Sequence, residues 1–115
     1  MRFDYNMIFF GTNNLSKVHK FYHEILGFTV FMDQGICRIY NIPGGGKIGF
    51  CSHIATSSND PIITLVTNDV DEVYKLFKKK NIKCYDKPKV NNRFKLYHFF
   101  AEDYDGHRVE IQRFL

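Results

Sequence analysis

The sequence has no long hydrophobic run. Its most apolar stretches, such as MIFF and IITLV, fall far short of the roughly 20 residues a membrane helix needs, and the N-terminal MRFDYN lacks an apolar signal core. A cytoplasmic protein with no membrane partner is therefore expected. Cysteine is scarce: Cys37, Cys51 and Cys84 are odd in number, make no CxxC pair and show no disulfide-framework spacing. That pattern points to reduced, packed thiols and away from a catalytic nucleophile. An RNA-binding aromatic motif, a helix-turn-helix signature and zinc-finger spacing are also missing. The net charge of +4 and pI near 9.0 gather from KKKNIK through Lys87, Lys89, Arg93 and Lys95. Cations at the end of a helix complement its dipole and keep the surface solvated, so no nucleic-acid partner is expected. The run Gly44–Gly46 lacks the GK[ST] that a phosphate loop requires, and reads as a hairpin turn.

What is present is enough apolar material for one domain: 44% hydrophobic and 17% aromatic residues in a chain of 115. MIFF, ended by GTNN, reads as a buried strand. In LSKVHKFYHEIL the apolar residues Leu15, Val18, Phe21, Tyr22, Ile25 and Leu26 recur at helical spacing, with Asn14 to cap the start and Gly27 to end it. FTVFMD, ICRIYNI and KIGFCS follow as strands, separated by DQG and PGGG. After ATSSNDP the order β-α-β-β-β starts again. IITLVT is the strand, and NDVDEVYKLFKKK the helix, with Asp69 and Glu72 in a capping-box pattern. Val70, Val73, Leu76 and Phe77 stand 55 residues beyond Leu15, Val18, Phe21 and Tyr22. KCYD, RFKLYHFFA and HRVEIQRF are the last strands, and aligning EDYDG with IPGGG gives an offset of 60. The chain is thus an internal duplication, with module one at 1–54, a linker at 55–61 and module two at 62–115.

A duplicated β-α-β-β-β unit closing on D-x-D-G-x-x-x-E resembles the vicinal oxygen chelate superfamily, through FYHEILGF, NDVDEVYKLF and DYDGHRVEI. That superfamily includes glyoxalase I, bleomycin-resistance proteins, fosfomycin-resistance transferases and extradiol dioxygenases. The resemblance implies an α+β fold in which two curved sheets form an eight-stranded open barrel around a ligand cavity. It also implies a homodimer. Metalloenzymes of the family place a ligand on the opening and closing strand of each module. Mapped here by the offsets of 55 and 60, those positions are Met7, Ile62, Phe50 and Glu110, of which only Glu110 can ligate a divalent metal. No cofactor is therefore expected, with a divalent metal at Glu110 as the alternative.

Strand alternation places further residues beside Glu110. Gln112 and Arg108 share its parity, with His98 and Phe100 across the turn, and Arg38 and Tyr40 at the matching points of module one. Met7, Phe9, Phe50, Ser52, Ile62, Thr64 and Val66 complete an expected wall that is mostly apolar and aromatic, the usual composition of a small-molecule site. Arg38 needs an anion, either Glu110 or a ligand. His53 has outward parity, His107 falls in a turn with solvent around it, and His19 and His23 read as a surface pair. Two functions follow: a metal-free module that binds a small aromatic or anionic molecule, or a lyase or isomerase of the lactoylglutathione-lyase type with Glu110 and His98 in acid–base or metal-ligand roles.

Overall fold

Asn14 starts the first helix as its spacing predicts, its side chain accepting the Lys17 N–H at 3.1 Å. The α-helix α1 runs only from Leu15 to His19. It loosens into a π-helical stretch over Lys20–Ile25, where Leu26 N–H reaches back to the Phe21 carbonyl, and Gly27 ends it at a φ of 76°. The second helix, α2 (Val70–Lys79), begins where predicted, but Asp69 makes no side-chain cap bond, so the capping box does not form. The Asp69 N–H is instead held by the Thr67 hydroxyl.

The computed structural model describes residues 1–56 and 61–115; positions 57–60 of the expected linker lie outside them. The strands are β1 (Met7–Gly11), β2 (Val30–Asp33), β3 (Cys37–Asn41), β4 (Lys47–Cys51), β5 (Ile62–Val66), β6 (Lys89–Asn91), β7 (Leu96–Glu102) and β8 (Arg108–Phe114). The fold is α+β, two tandem modules that each carry a four-stranded mixed sheet. The strand orders β1-β4-β3-β2 and β5-β8-β7-β6 are the same path taken twice. One strand differs from expectation. KCYD contributes only an isolated bridge, Cys84 to Ala101, and the pairing strand of that region is β6, inside the loop DKPKVNN.

Each sheet buries one face against its own helix. In module one Phe50 stacks on Phe10 at 5.7 Å and packs on Tyr22 at 4.7 Å, with Tyr40 beside it. In module two Phe99 meets Tyr74 and Phe77 edge-on at 5.2 and 5.8 Å. Tyr22 and Phe77, matched by the sequence repeat, are both fully buried. Full burial of one such ring contributes about 1.5–3 kcal/mol.

The turns correct the repeat. In module two Asp103 N–H donates to the His107 carbonyl and Gly106 N–H to the Asp103 carbonyl. In module one Ile42 N–H donates to the Gly46 carbonyl and Gly45 N–H to the Ile42 carbonyl. Gly45, not Gly46, is therefore the counterpart of Gly106. Strand pairing agrees: Phe9 sits opposite Gly49 as Thr64 sits opposite Glu110. The closing strands are offset by 61 residues, not 60, and a shift of one residue reverses which face every side chain occupies.

Candidate functional site

On the face of the second sheet turned away from α2, alternation along β8 sets out Arg108, Glu110 and Gln112. The register of β7 adds His98 and Phe100, and β5 contributes Ile62, Thr64 and Val66. Glu110 is the hub. Its Oε2 lies 2.6 Å from His98 Nδ1, and its Oε1 accepts the Thr64 hydroxyl at 2.9 Å. The His98 and Glu110 side chains are only 6% and 12% exposed, so this bond is made largely out of water and is strong. With Nδ1 donating to the carboxylate, a neutral His98 carries its lone pair on Nε2. The imidazole stands edge-on to Phe100 at 5.2 Å, and the buried Gln112 lies opposite it in register.

Next in register to this pair, Tyr85, Phe100 and Arg108 line a cleft of about 210 Å³. The backbone puts Tyr85 there: its N–H donates to the Phe100 carbonyl at 2.8 Å, while the Asp86 carboxylate accepts the Phe100 N–H at 3.1 Å. The Tyr85 hydroxyl donates to Glu102, which holds the phenol above its ordinary pKa. Lys83 balances Glu102 at 3.7 Å, and among the described residues no carboxylate lies within ion-pairing distance of Arg108. Tyr85 falls in KCYD, read as a strand, and is not among the expected site residues. It enters through the bridge and hydrogen bonds of a segment that has no strand of its own.

Module one is different. Met7 and Phe9 lie on the open face of its sheet as expected, and the Phe9 ring covers Gly49 so closely that a Cβ there would meet it at 2.4 Å. Arg38, Tyr40 and Phe50 lie on the helix face instead, the direct result of the one-residue register difference. Tyr40 bonds His19 of α1 at 3.0 Å, and burial raises its phenol pKa. Arg38 pairs with Asp33 at 3.3 Å, so the expected counter-charge Glu110 is not its partner: each finds its bond within its own module. Ser52 lies past the end of β4, its hydroxyl donating to the Ile36 carbonyl. The residues the register does bring to the open face are Cys37 and Cys51. They face one another across β3 and β4 and form a disulfide, contrary to the expected reduced thiols. With Phe9, Gln34, His53 and Ile54 they line a cleft of about 270 Å³.

Of the remaining histidines, His107 is less solvated than its turn position implied. His107 donates its N–H to Asp103 and brings Nδ1 to 2.7 Å from the same carboxylate, with a side chain only 9% exposed. His19 and His23 stack at 4.6 Å, and His23 Nδ1 bonds the Phe28 carbonyl. Cys84 is free, and burial pushes its thiol pKa up, which disfavours a nucleophilic thiolate.

The family model for the glyoxalase/bleomycin resistance protein/dioxygenase superfamily matches residues 4–111. The chain belongs to that superfamily. Superfamily structures of the same fold include one from Sphaerobacter thermophilus, 17% identical over 98% of both chains with a TM-score of 0.81. Another, from Alicyclobacillus acidocaldarius, is 17% identical over 100% of this chain and 96% of its own, with a TM-score of 0.77. A virulence protein from Salmonella typhimurium is 17% identical over 100% of this chain and 99% of its own, at 0.75. At these identities the likeness shows the fold. None of the curated proteins compared matches the sequence. Within the superfamily frame, the corrected register puts Gly49 in place of Phe50, so the four ligand positions hold Met7, Gly49, Ile62 and Glu110. Among the described residues no helix is long and apolar enough to cross a membrane.

Proposed function

We propose that the protein binds a small aromatic or anionic molecule on the open face of its second module, without a metal. The observation that carries this reading is the convergence of Tyr85, Phe100 and Arg108 on one cleft, next in register to the Glu110–His98 pair. An arginine with two aromatic rings is the chemistry that holds a planar carboxylate or phosphate. The residues present do not fit the divalent ion that the superfamily implies. A thioether (Met7), a glycine (Gly49) and an aliphatic side chain (Ile62) stand at three of the four ligand positions, and both Glu110 oxygens are already bonded. The binding role thus rests on side chains that recognise shape and charge.

The test is a melting-temperature series with benzoate and phenyl phosphate, since a ligand that binds only the folded chain raises its apparent stability by mass action. Either compound should raise the melting temperature of the wild type, and should raise that of Arg108→Ala less at the same concentration. Equal shifts in both proteins, or none in either, would count against the proposal. The 2.6 Å Glu110–His98 bond also favours a second reading, a lyase or isomerase in which Glu110 orients His98 and Nε2 takes a substrate proton. Proton exchange into a carbonyl substrate, followed by NMR in deuterated water and abolished by His98→Gln, would identify that activity. Assembly as a homodimer belongs to the same proposal. Exposed Ile8 on β1 and Val66 on β5 supply apolar surface at sheet edges, and sedimentation velocity should give twice the chain mass.

A further inference from the structure

The geometry points to a second site, in module one: Cys37, Cys51 and His53 form a binding site for zinc or a similarly thiophilic ion, open when the Cys37–Cys51 cystine is reduced and closed when it is oxidised. One ligand atom from each of the three residues lies within 4.8 Å of the other two. The strand register places the cysteines directly opposite one another on β3 and β4, with Cα atoms 4.0 Å apart, so both sulfurs leave the same face of the sheet. His53 follows β4 by two residues, and its Nδ1 lies 3.8 Å from Cys37 Sγ. In a tetrahedral zinc site, bond lengths of about 2.3 Å to sulfur and 2.0–2.1 Å to nitrogen put sulfur and nitrogen about 3.6 Å apart. The Cys37–His53 spacing is therefore already close to a ligand edge, and the two sulfurs need only separate by side-chain rotation once the bond between them is broken.

Two buried thiols and an exposed imidazole make a three-ligand set. Such a set leaves the fourth position of zinc open, and the same three residues line the cleft of about 270 Å³ together with Phe9, Gln34 and Ile54. Sulfur-rich ligation selects thiophilic ions over magnesium or calcium. The chemistry balances. Two equivalents of a low-molecular-weight thiol reduce the cystine, leaving as one small-molecule disulfide and giving two protein thiols. Zinc then displaces the two thiol protons. The oxidised pair cannot offer thiolates, so one residue pair has two mutually exclusive states. This site is independent of the module-two cleft, and neither proposal depends on the other.

The experiment is an anaerobic titration of the full chain, reduced with a phosphine, using cobalt as a spectroscopic probe and zinc as competitor. One equivalent of cobalt should bind with a thiolate-to-metal charge-transfer band, and zinc should displace it. The oxidised chain should bind none. Cys37→Ser and Cys51→Ser should each remove the charge-transfer band, and His53→Ala should weaken binding by at least the roughly 10- to 100-fold that loss of an outer-shell partner costs. Cys84→Ser should change nothing. Should a cysteine variant fail to fold, the band in the reduced wild type, and its loss on reoxidation to the cystine, decide the matter alone. No charge-transfer band in the reduced chain, or binding that persists in Cys37→Ser and vanishes in Glu110→Gln, would overturn the assignment.

Discussion

The two modules follow one strand path and close on the same turn hydrogen bonds, yet their open faces carry different chemistry. Glu110 at the centre of β8 answers to Gly49 at the centre of β4; His98 answers to Cys37 and Gln112 to Cys51. Module two thus sets a carboxylate, an imidazole and an amide where module one sets a glycine and a cystine. The apolar stripes of the two helices have diverged much less, with Val18, Phe21 and Tyr22 answered by Val73, Leu76 and Phe77, since each stripe must pack on its own sheet. Duplication preserved what packing requires and left the opposite face free to change. That is why the repeat is easiest to read in the helices and hardest to read at the site.

The largest effect should come from the packed side of this comparison. Phe50→Ala and Phe99→Ala each remove a fully buried ring from a helix face and should cost about 3–5 kcal/mol in urea unfolding, leaving benzoate affinity unchanged in any variant that still folds. A mild Phe50→Ala variant with lost affinity would return Phe50 to a ligand-facing role. On the divergent side, Gly49→Ala forces the Phe9 ring aside and should cost about 1–3 kcal/mol. Glu110→Gln should cost a similar amount, about 1–3 kcal/mol, because it weakens a charge-assisted bond to a buried histidine. The two arginines sharpen the contrast further. Arg108→Ala should weaken benzoate binding about tenfold, or about 1.4 kcal/mol. Arg38→Ala should leave that affinity alone and lower stability by less than about 1 kcal/mol, since its partner Asp33 is half exposed.

The smallest expected effect is a pH dependence carried by His19 of module one. Burial first, then the charges of Arg38 and His23, hold the His19 pKa below its ordinary 6.5. The unfolded chain therefore takes up this proton more readily than the folded one, so the contribution to stability is complete above about pH 6.5 and lost as pH falls from there through the folded value. The matching position of module two, 55 residues on, is Tyr74 and not a histidine. His19→Gln should flatten the acid limb of a stability profile, and an unchanged limb would place the titration elsewhere.

Much of this was legible in the residues. Helical spacing located both helices, alternation placed Glu110, His98, Thr64, Phe100 and Gln112 on one face, and the β-α-β-β-β repeat identified the superfamily. The error in module one has a specific origin. Gly44, Gly45 and Gly46 all adopt positive φ, so three successive residues could each stand for Gly106, and only the hydrogen bonds choose Gly45. That single choice moved Arg38, Tyr40 and Phe50 to the helix face and brought Cys37 and Cys51 to the open one. The cystine was invisible for the same reason: cross-strand pairing depends on register, and spacing along the chain does not report it. Tyr85 was missed because KCYD, read as a strand, pairs only through an isolated bridge, and its pattern does not report the register that sets Tyr85 beside Phe100.

The most direct test is a ¹H–¹⁵N titration of the full chain with benzoate. The expected result is saturable shifts at the amides of Tyr85, Phe100, Arg108 and Glu110, with none at Arg38 or Tyr40. Shifts centred on Arg38 and Tyr40, or no saturable shift at Arg108, would contradict the assignment of the binding face to module two.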